Sequence, residues 1–257
     1  MALGRRMIGW LRRLFGQEHP RPVPAREPEP EPQPVPDWEP KPQPPQRRSE
    51  AEIDAVEAAL NGLIAAGLRL GPHYEGIDRR AVARTMAEHP EFAVGDGNQT
   101  LPLTERSSEA LSIAILWSYR ALADAIEDEF ANAAIFDDHC YDGADEETYR
   151  ALFARLIDLA EAWTGRGVTV SRVPGLGAYG HGFRVAFETQ PPIPPLTFPA
   201  DKNFDWSLLE RLDACRPAAE TRRFRVAADG GAGLVLFLDD TEARAIAARL
   251  GWGPDDL

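Results

Sequence analysis

The run Ala110-Leu-Ser-Ile-Ala-Ile-Leu-Trp-Ser-Tyr-Arg-Ala-Leu-Ala-Asp-Ala-Ile126 decides how the rest of this chain is read, with Glu105 ahead of it and Phe136-Asp-Asp-His-Cys-Tyr-Asp-Gly143 beyond it. Wound as a helix, it carries apolar residues around most of its circumference, so neighbouring elements must cover it on several sides. The expectation is one long core helix from Glu105 to Asp142, running out into an acidic turn. Ser112, Ser118, Arg120 and Asp124 interrupt the run. No span reaches the roughly 18 to 20 uninterrupted apolar residues of a membrane crossing, so no transmembrane segment is expected.

On the N-terminal side of this run the helical period continues. Ser49 with Glu52 has the spacing of a capping box, and Ile53, Val56, Ala59, Leu60, Leu63 and Ile64 form an apolar stripe that ends near Gly67 or Gly71-Pro72. A second helix is expected over Asp78–Glu88, closed by Pro90, and Val94-Gly-Asp-Gly-Asn98 reads as a turn. On the C-terminal side a helix is expected over Asp145–Thr164, with acids in its first turn where the helix dipole favours them.

After Gly165 the period changes to two. Val168-Thr-Val-Ser-Arg-Val173 and Phe183-Arg-Val-Ala-Phe-Glu188 read as paired strands around a glycine-rich loop, followed by a proline-rich crossing and a helix near Trp206–Cys215. Arg223-Phe-Arg-Val-Ala227 and Leu234-Val-Leu-Phe-Leu238 pair across Asp229-Gly-Gly, and Asp239 and Asp240 cap a last helix through Leu250. Two strand–strand–helix units result. Phe183-Arg-Val-Ala186 and Phe224-Arg-Val-Ala227 share four letters, too few to argue a duplication. The expected fold class is α+β, a helical first half packed against a small antiparallel sheet of about four strands.

The first 48 residues have another character. Leu3, Met7, Ile8, Trp10, Leu11, Leu14 and Phe15 share one helical arc opposite Arg5, Arg6, Arg12 and Arg13, so residues 1–16 read as a basic amphipathic helix. Such a helix lies on an anionic membrane surface or docks in a partner's groove, with Arg5, Arg6, Trp10, Arg12, Arg13 and Phe15 as the docking residues. Prolines then recur nearly every second residue from Pro20 to Pro36, so residues 17–48 read as a disordered, polyproline-II linker. Pro42-Gln-Pro-Pro45 fits PxxP, a match nearly unavoidable in such a tract. Residues 49–257 are the folded part.

Charge narrows the partners. Residues 1–48 hold nine basic and six acidic residues, a net of +3, so the remainder carries −16 of the total −13. That sign repels phosphate backbones and argues against nucleic acid, while it favours a basic protein partner. Cys140 and Cys215 are far apart and in no CxxC arrangement, which points to neither a disulfide framework nor a cysteine zinc site. Arg12-Arg13 breaks the only candidate signal peptide. A cytoplasmic domain, peripheral at a membrane through its first helix, is the expectation.

Few motifs carry chemistry. Gly175-Leu-Gly-Ala-Tyr-Gly180 satisfies GxGxxG, yet a strand follows it where a dinucleotide fold needs a helix. The kinase context fails too, because Lys41 and Lys202 are the only lysines and neither His-Arg-Asp nor Asp-Phe-Gly occurs. The loop is therefore read as a hairpin turn. Asp137, Asp138, His139 and Asp142 have the oxygen and imidazole chemistry of a divalent-metal or water-activating site, with His181 as the one distant ligand. As an EF-hand from Asp138 the segment fails, with Cys140 at position three and Tyr149 at position twelve. The acidic turn is taken first as a binding surface, with no cofactor. The chain is read as a non-enzymatic binding or adaptor protein, one version being an inhibitor of a basic protein such as a toxin. A metal-dependent hydrolase using Asp138, His139, Asp142 and His181 is the alternative.

Overall fold

The first helix forms for the reasons its sequence carries. In the computed structural model, α1 spans Glu50–Ala65, the Ser49 hydroxyl accepts from the Glu52 amide, and the Glu52 carboxylate accepts from the Ser49 amide. These two bonds satisfy amides that a helix start leaves without intrahelical partners. Ile53, Val56, Ala59, Leu60 and Leu63 are buried, the expected stripe. The structure describes residues 47–89, 92, 102–117, 130–137, 145–201, 204–228, 232–253 and 256–257. The basic amphipathic helix, nearly all of the proline linker and the Val94–Asn98 turn lie outside them.

Helix α2 spans Arg79–Glu88 and α3 spans Ser108–Trp117. Arg80 and Arg84 of α2 meet Glu50, Asp54 and Glu57 of α1, so part of the acidic charge is offset across the exposed face of this helix pair. Strand β1 spans Ala133–Asp137 and α4 spans Glu146–Ala160. Strands β2 (Thr164–Pro174), β3 (His181–Gln190) and β4 (Leu196–Pro199) follow, then α5 (Ser207–Asp213), β5 (Arg223–Ala228), β6 (Ala232–Leu238) and α6 (Asp240–Leu250). Asp239 and Glu242 form a second capping box at the start of α6.

The fold is α+β, with its strands divided between two antiparallel sheets of three, ordered β1-β6-β5 and β2-β3-β4. The two hairpins read from the sequence, β2–β3 and β5–β6, are both present. They do not pair with each other, because each recruits its third strand from a segment that did not read as one. β4 comes from the proline-rich crossing and pairs only with β3; an edge strand tolerates proline, whose missing N–H would break a central ladder.

The other recruit, β1, corrects the reading of the long helix. The helix expected to run from Glu105 to Asp142 is not one element: Ala133–Asp137 is a strand paired antiparallel with β6. A strand buried on both faces has a near-continuous apolar run, and periodicity alone does not separate that from a buried helix. The next helix also stops short of Thr164, at Ala160, after which Glu161 takes a left-handed conformation and the chain turns into β2.

Sheet β1-β6-β5 divides the interior. Leu234, Leu236 and Leu238 face a core built with α1, α2, α3 and α6, while Val235 and Phe237 face a second core shared with α4, α5 and sheet β2-β3-β4. The alternation of β6 is thus apolar on both sides, as a fully covered strand requires. Asn132, in the turn before β1, is buried and takes the Arg69 amide while donating to the Gly67 carbonyl, at 2.8 and 2.9 Å. It ties the end of α1 to the start of the sheet.

Candidate functional site

Strand direction and register bring several separate segments to one end of the molecule. β2 ends at Pro174 opposite His181 of β3, with the glycine loop between them, and β4 ends there as well, Pro199 lying opposite Gly182. From Pro199 the chain reaches Trp206, whose ring lies where a Cβ on Gly233 would fall, 2.2 Å away. Only glycine fits against that indole. Gly233 pairs with Phe136, so Trp206 lies beside the C-terminal end of β1. The start of α4 lies near the loop end of β2, since Glu146 faces Arg172 of β2 at 3.8 Å.

The described chain stops after Asp137, at the end of β1, and resumes at Asp145, just ahead of α4. Asp137 is the last residue of β1, opposite Ala232; Asp138, His139 and Asp142 lie outside the described residues, as do Arg5, Arg6, Trp10, Arg12, Arg13 and Phe15. Asp145 caps α4 by accepting from the Thr148 amide and hydroxyl at 3.0 Å each. His181, read as a distant ligand, opens β3 beside the glycine loop, with Nδ1 3.2 Å from the Tyr179 carbonyl oxygen and its ring edge-on to Phe183. Among the described residues, no three His, Cys, Asp or Glu side chains are grouped as a metal would need.

The glycine loop closes on itself. The Gly175 amide donates to the Gly180 carbonyl at 2.8 Å and the Gly180 amide to the Gly177 carbonyl at 3.2 Å, so these two donors are turned inward and not toward a phosphate. Gly177 has φ +72°, and a Cβ there would come within 2.5 Å of the Pro199 side chain. Its conformation and its closeness to β4 both demand glycine. The loop so pinned carries Tyr179 at its tip, half exposed, one of two large hydrophobic side chains so placed among the described residues.

Beneath the loop the aromatic packing is continuous. Tyr149 of α4 stacks against Phe183 at 4.5 Å and Phe198 at 5.1 Å. Burial, with the charge of Asp201 nearby, pushes the Tyr149 phenol up to about 12, so it stays protonated across the physiological range. Around this packing lie Asp201, near enough to Tyr149 to act on its phenol, and Glu146, which faces Arg172. Sequence reasoning had singled out only Asp137–Asp142 and His181. Tyr179 was visible only as part of a GxGxxG match, and Asp201 only as a residue after a proline run.

A cleft of about 360 Å³ lies elsewhere, lined by Ile64, Gly67, Arg69, Leu70, Arg79 and Glu242 among others. Arg69 bridges to Glu161 just past the C-terminal end of α4, so the 15 residues of that helix, at about 1.5 Å each, separate this cleft from the loop end. Among the described residues, no helix is long and apolar enough to cross a membrane. No protein-family model matches the chain, and neither do the curated proteins or the solved structures with which it was compared.

Proposed function

We propose that this is a non-enzymatic binding protein whose acidic domain, residues 49–257, engages a basic partner protein through the end that carries the Asp137–Asp142 turn and Tyr179. The observation that supports this reading is the exposed Tyr179, held on a self-bonded glycine turn of a domain whose net charge is strongly negative. An aromatic ring at low conformational cost, on a domain of net negative charge, suits a surface rich in Lys and Arg, with the ring as anchor and the charges as steering. An inhibitor of a cationic toxin or enzyme is one form of such a protein. Residues 1–16 would hold the domain, in the cytoplasm, to an anionic membrane or a second partner, with residues 17–48 as spacer. Liposome flotation that is lost at high salt and after Trp10→Glu tests that tether.

The binding reading is tested by pull-down with the full chain as bait, followed by association kinetics on the captured protein. Asp137, Asp138 and Asp142 changed together to Asn should slow association about tenfold at low salt, with the loss shrinking as salt rises, while thermal stability stays within a few degrees. Equal association rates for the two chains would overturn it. A metal-dependent hydrolase is the second reading, kept for the oxygen and imidazole chemistry of Asp138, His139, Asp142 and His181. A divalent ion found by elemental analysis in the unmodified chain and lost in the triple variant, with a large fall in stability, would put that reading first.

A further inference from the structure

The connection between β3 and β4, Pro191-Pro-Ile-Pro-Pro-Leu196, was read from the sequence only as a crossing. Its composition leaves the backbone little choice. Four of the six residues are prolines with φ fixed near −65°, and Pro191, Ile193 and Pro194 each precede a proline, which excludes them from helical conformation. Such a segment is confined to extended backbone, of which polyproline II, with three residues per turn, is the form that proline favours.

Burial along the segment has that period. Ile193 and Leu196, three apart, are buried at 3% and 4% exposure, whereas Pro191, Pro192, Pro194 and Pro195 are all exposed. One edge of the helix is therefore anchored in the second core, beside Phe198 and Val185, and two edges, Pro191 with Pro194 and Pro192 with Pro195, face outward. The start is fixed too: Thr189 is buried, and its hydroxyl donates to the Pro191 carbonyl at 3.1 Å. A connecting loop needs only to bring β3 back to β4. Two outward proline edges on an anchored, pre-ordered helix are the form that aromatic-lined grooves bind, because the ligand loses little entropy on docking.

We infer that Pro191–Pro195 is a docking ridge for a protein domain with an aromatic-lined, polyproline-binding groove. The ridge is a second interaction surface, independent of the acidic end, and it differs from the Pro42–Pro45 match in being part of the folded domain.

The test uses the full chain and an isolated WW domain as probe, read by hydrogen–deuterium exchange. Adding the WW domain should slow exchange at least about twofold in peptides covering residues 188–198, where the amides of Gln190, Ile193, Leu196 and Thr197 report. Pro192→Ala with Pro195→Ala, or Pro191→Ala with Pro194→Ala on the other edge, should remove that protection with an unchanged melting temperature. Protection confined to residues 20–45, or no protection anywhere, would overturn the inference. Two separate double variants keep the result readable if one of them misfolds.

Discussion

Phe183-Arg-Val-Ala186 in β3 and Phe224-Arg-Val-Ala227 in β5 are the same four residues in two environments. β3 is the middle strand of its sheet and β5 an edge strand of the other. Phe183 is fully buried among Tyr149, His181 and Phe198, and Val185 is fully buried as well. Phe224 touches Phe237 at 5.1 Å and retains slight exposure, and Val226 is half-buried. The arginines reverse that order. Arg184 points to solvent from the outer face of β2-β3-β4, whereas Arg225 lies opposite Leu236 on the face toward the helical core and reaches Asp240 at the start of α6. Identical letters share a local preference for strand, and the neighbours on each face decide what each residue contributes.

The edges also differ. β3 has strands on both sides, but the outward amide of Phe224 has none and donates instead to the carboxylate of Asp213, at 3.1 and 3.2 Å to its two oxygens. An acid thus occupies one position of an edge that would otherwise be open to another strand. Burial pushes the Asp213 carboxyl up to about 6, outweighing the Phe224 amide and the charges of Arg216, Arg223 and Arg225.

The sharpest break in the comparison should come from the two phenylalanines. Phe183→Ala removes a fully buried ring and is expected to cost about 4 to 5 kcal/mol, against about 3 for Phe224→Ala at the edge. Equilibrium urea unfolding of both variants measures the difference, and equal losses would mean that central and edge positions are packed alike.

A smaller effect is expected from Asp213. The folded protein holds a proton there more tightly than the unfolded chain, so this group's contribution to stability falls as pH rises from about 4 through 6. At neutral pH the ionised group therefore costs stability. Asp213→Asn keeps an acceptor for the Phe224 amide and removes the titration, so melting temperatures collected from pH 4 to 7 should vary less in the variant. A profile as steep as that of the unmodified chain would show that another group sets the pH dependence.

The smallest effects concern the arginines. Arg184→Ala should leave stability within about 0.5 kcal/mol, as exposed substitutions do. Arg225→Ala should cost about 1 kcal/mol, through lost packing of its stem as well as lost contact with Asp240. Thermal melts at low and high salt separate those two parts, because only the ionic part is screened.

The residues that were legible in the sequence are those whose reason is local. Ser49 and Glu52 cap α1, Asp239 and Glu242 cap α6, and Val168–Val173 pairs with Phe183–Glu188, because each needs only partners within one helical turn or across one hairpin. The segments around Ala133 and Leu196 were not legible as strands. β1 pairs with a strand about a hundred residues later, and β4 exists because β3 offers it an edge; neither partner leaves a mark on the segment itself. The candidate site divides in the same way. The acidic segment stood out as a run of carboxylates, while the closeness of Asp201 to Tyr149 and of Glu146 to Arg172 joins residues far apart in sequence.

The α+β class, the starts of the first and last helices and both hairpins could be read from residue type and short spacing, since capping and alternation depend on nothing more. Only tertiary packing decided that the strands form two sheets, that β6 is covered on both faces, and that β4 ends beside the glycine loop. Those outcomes depend on which distant surfaces can bury one another, and a short window of residues carries no record of its distant partners.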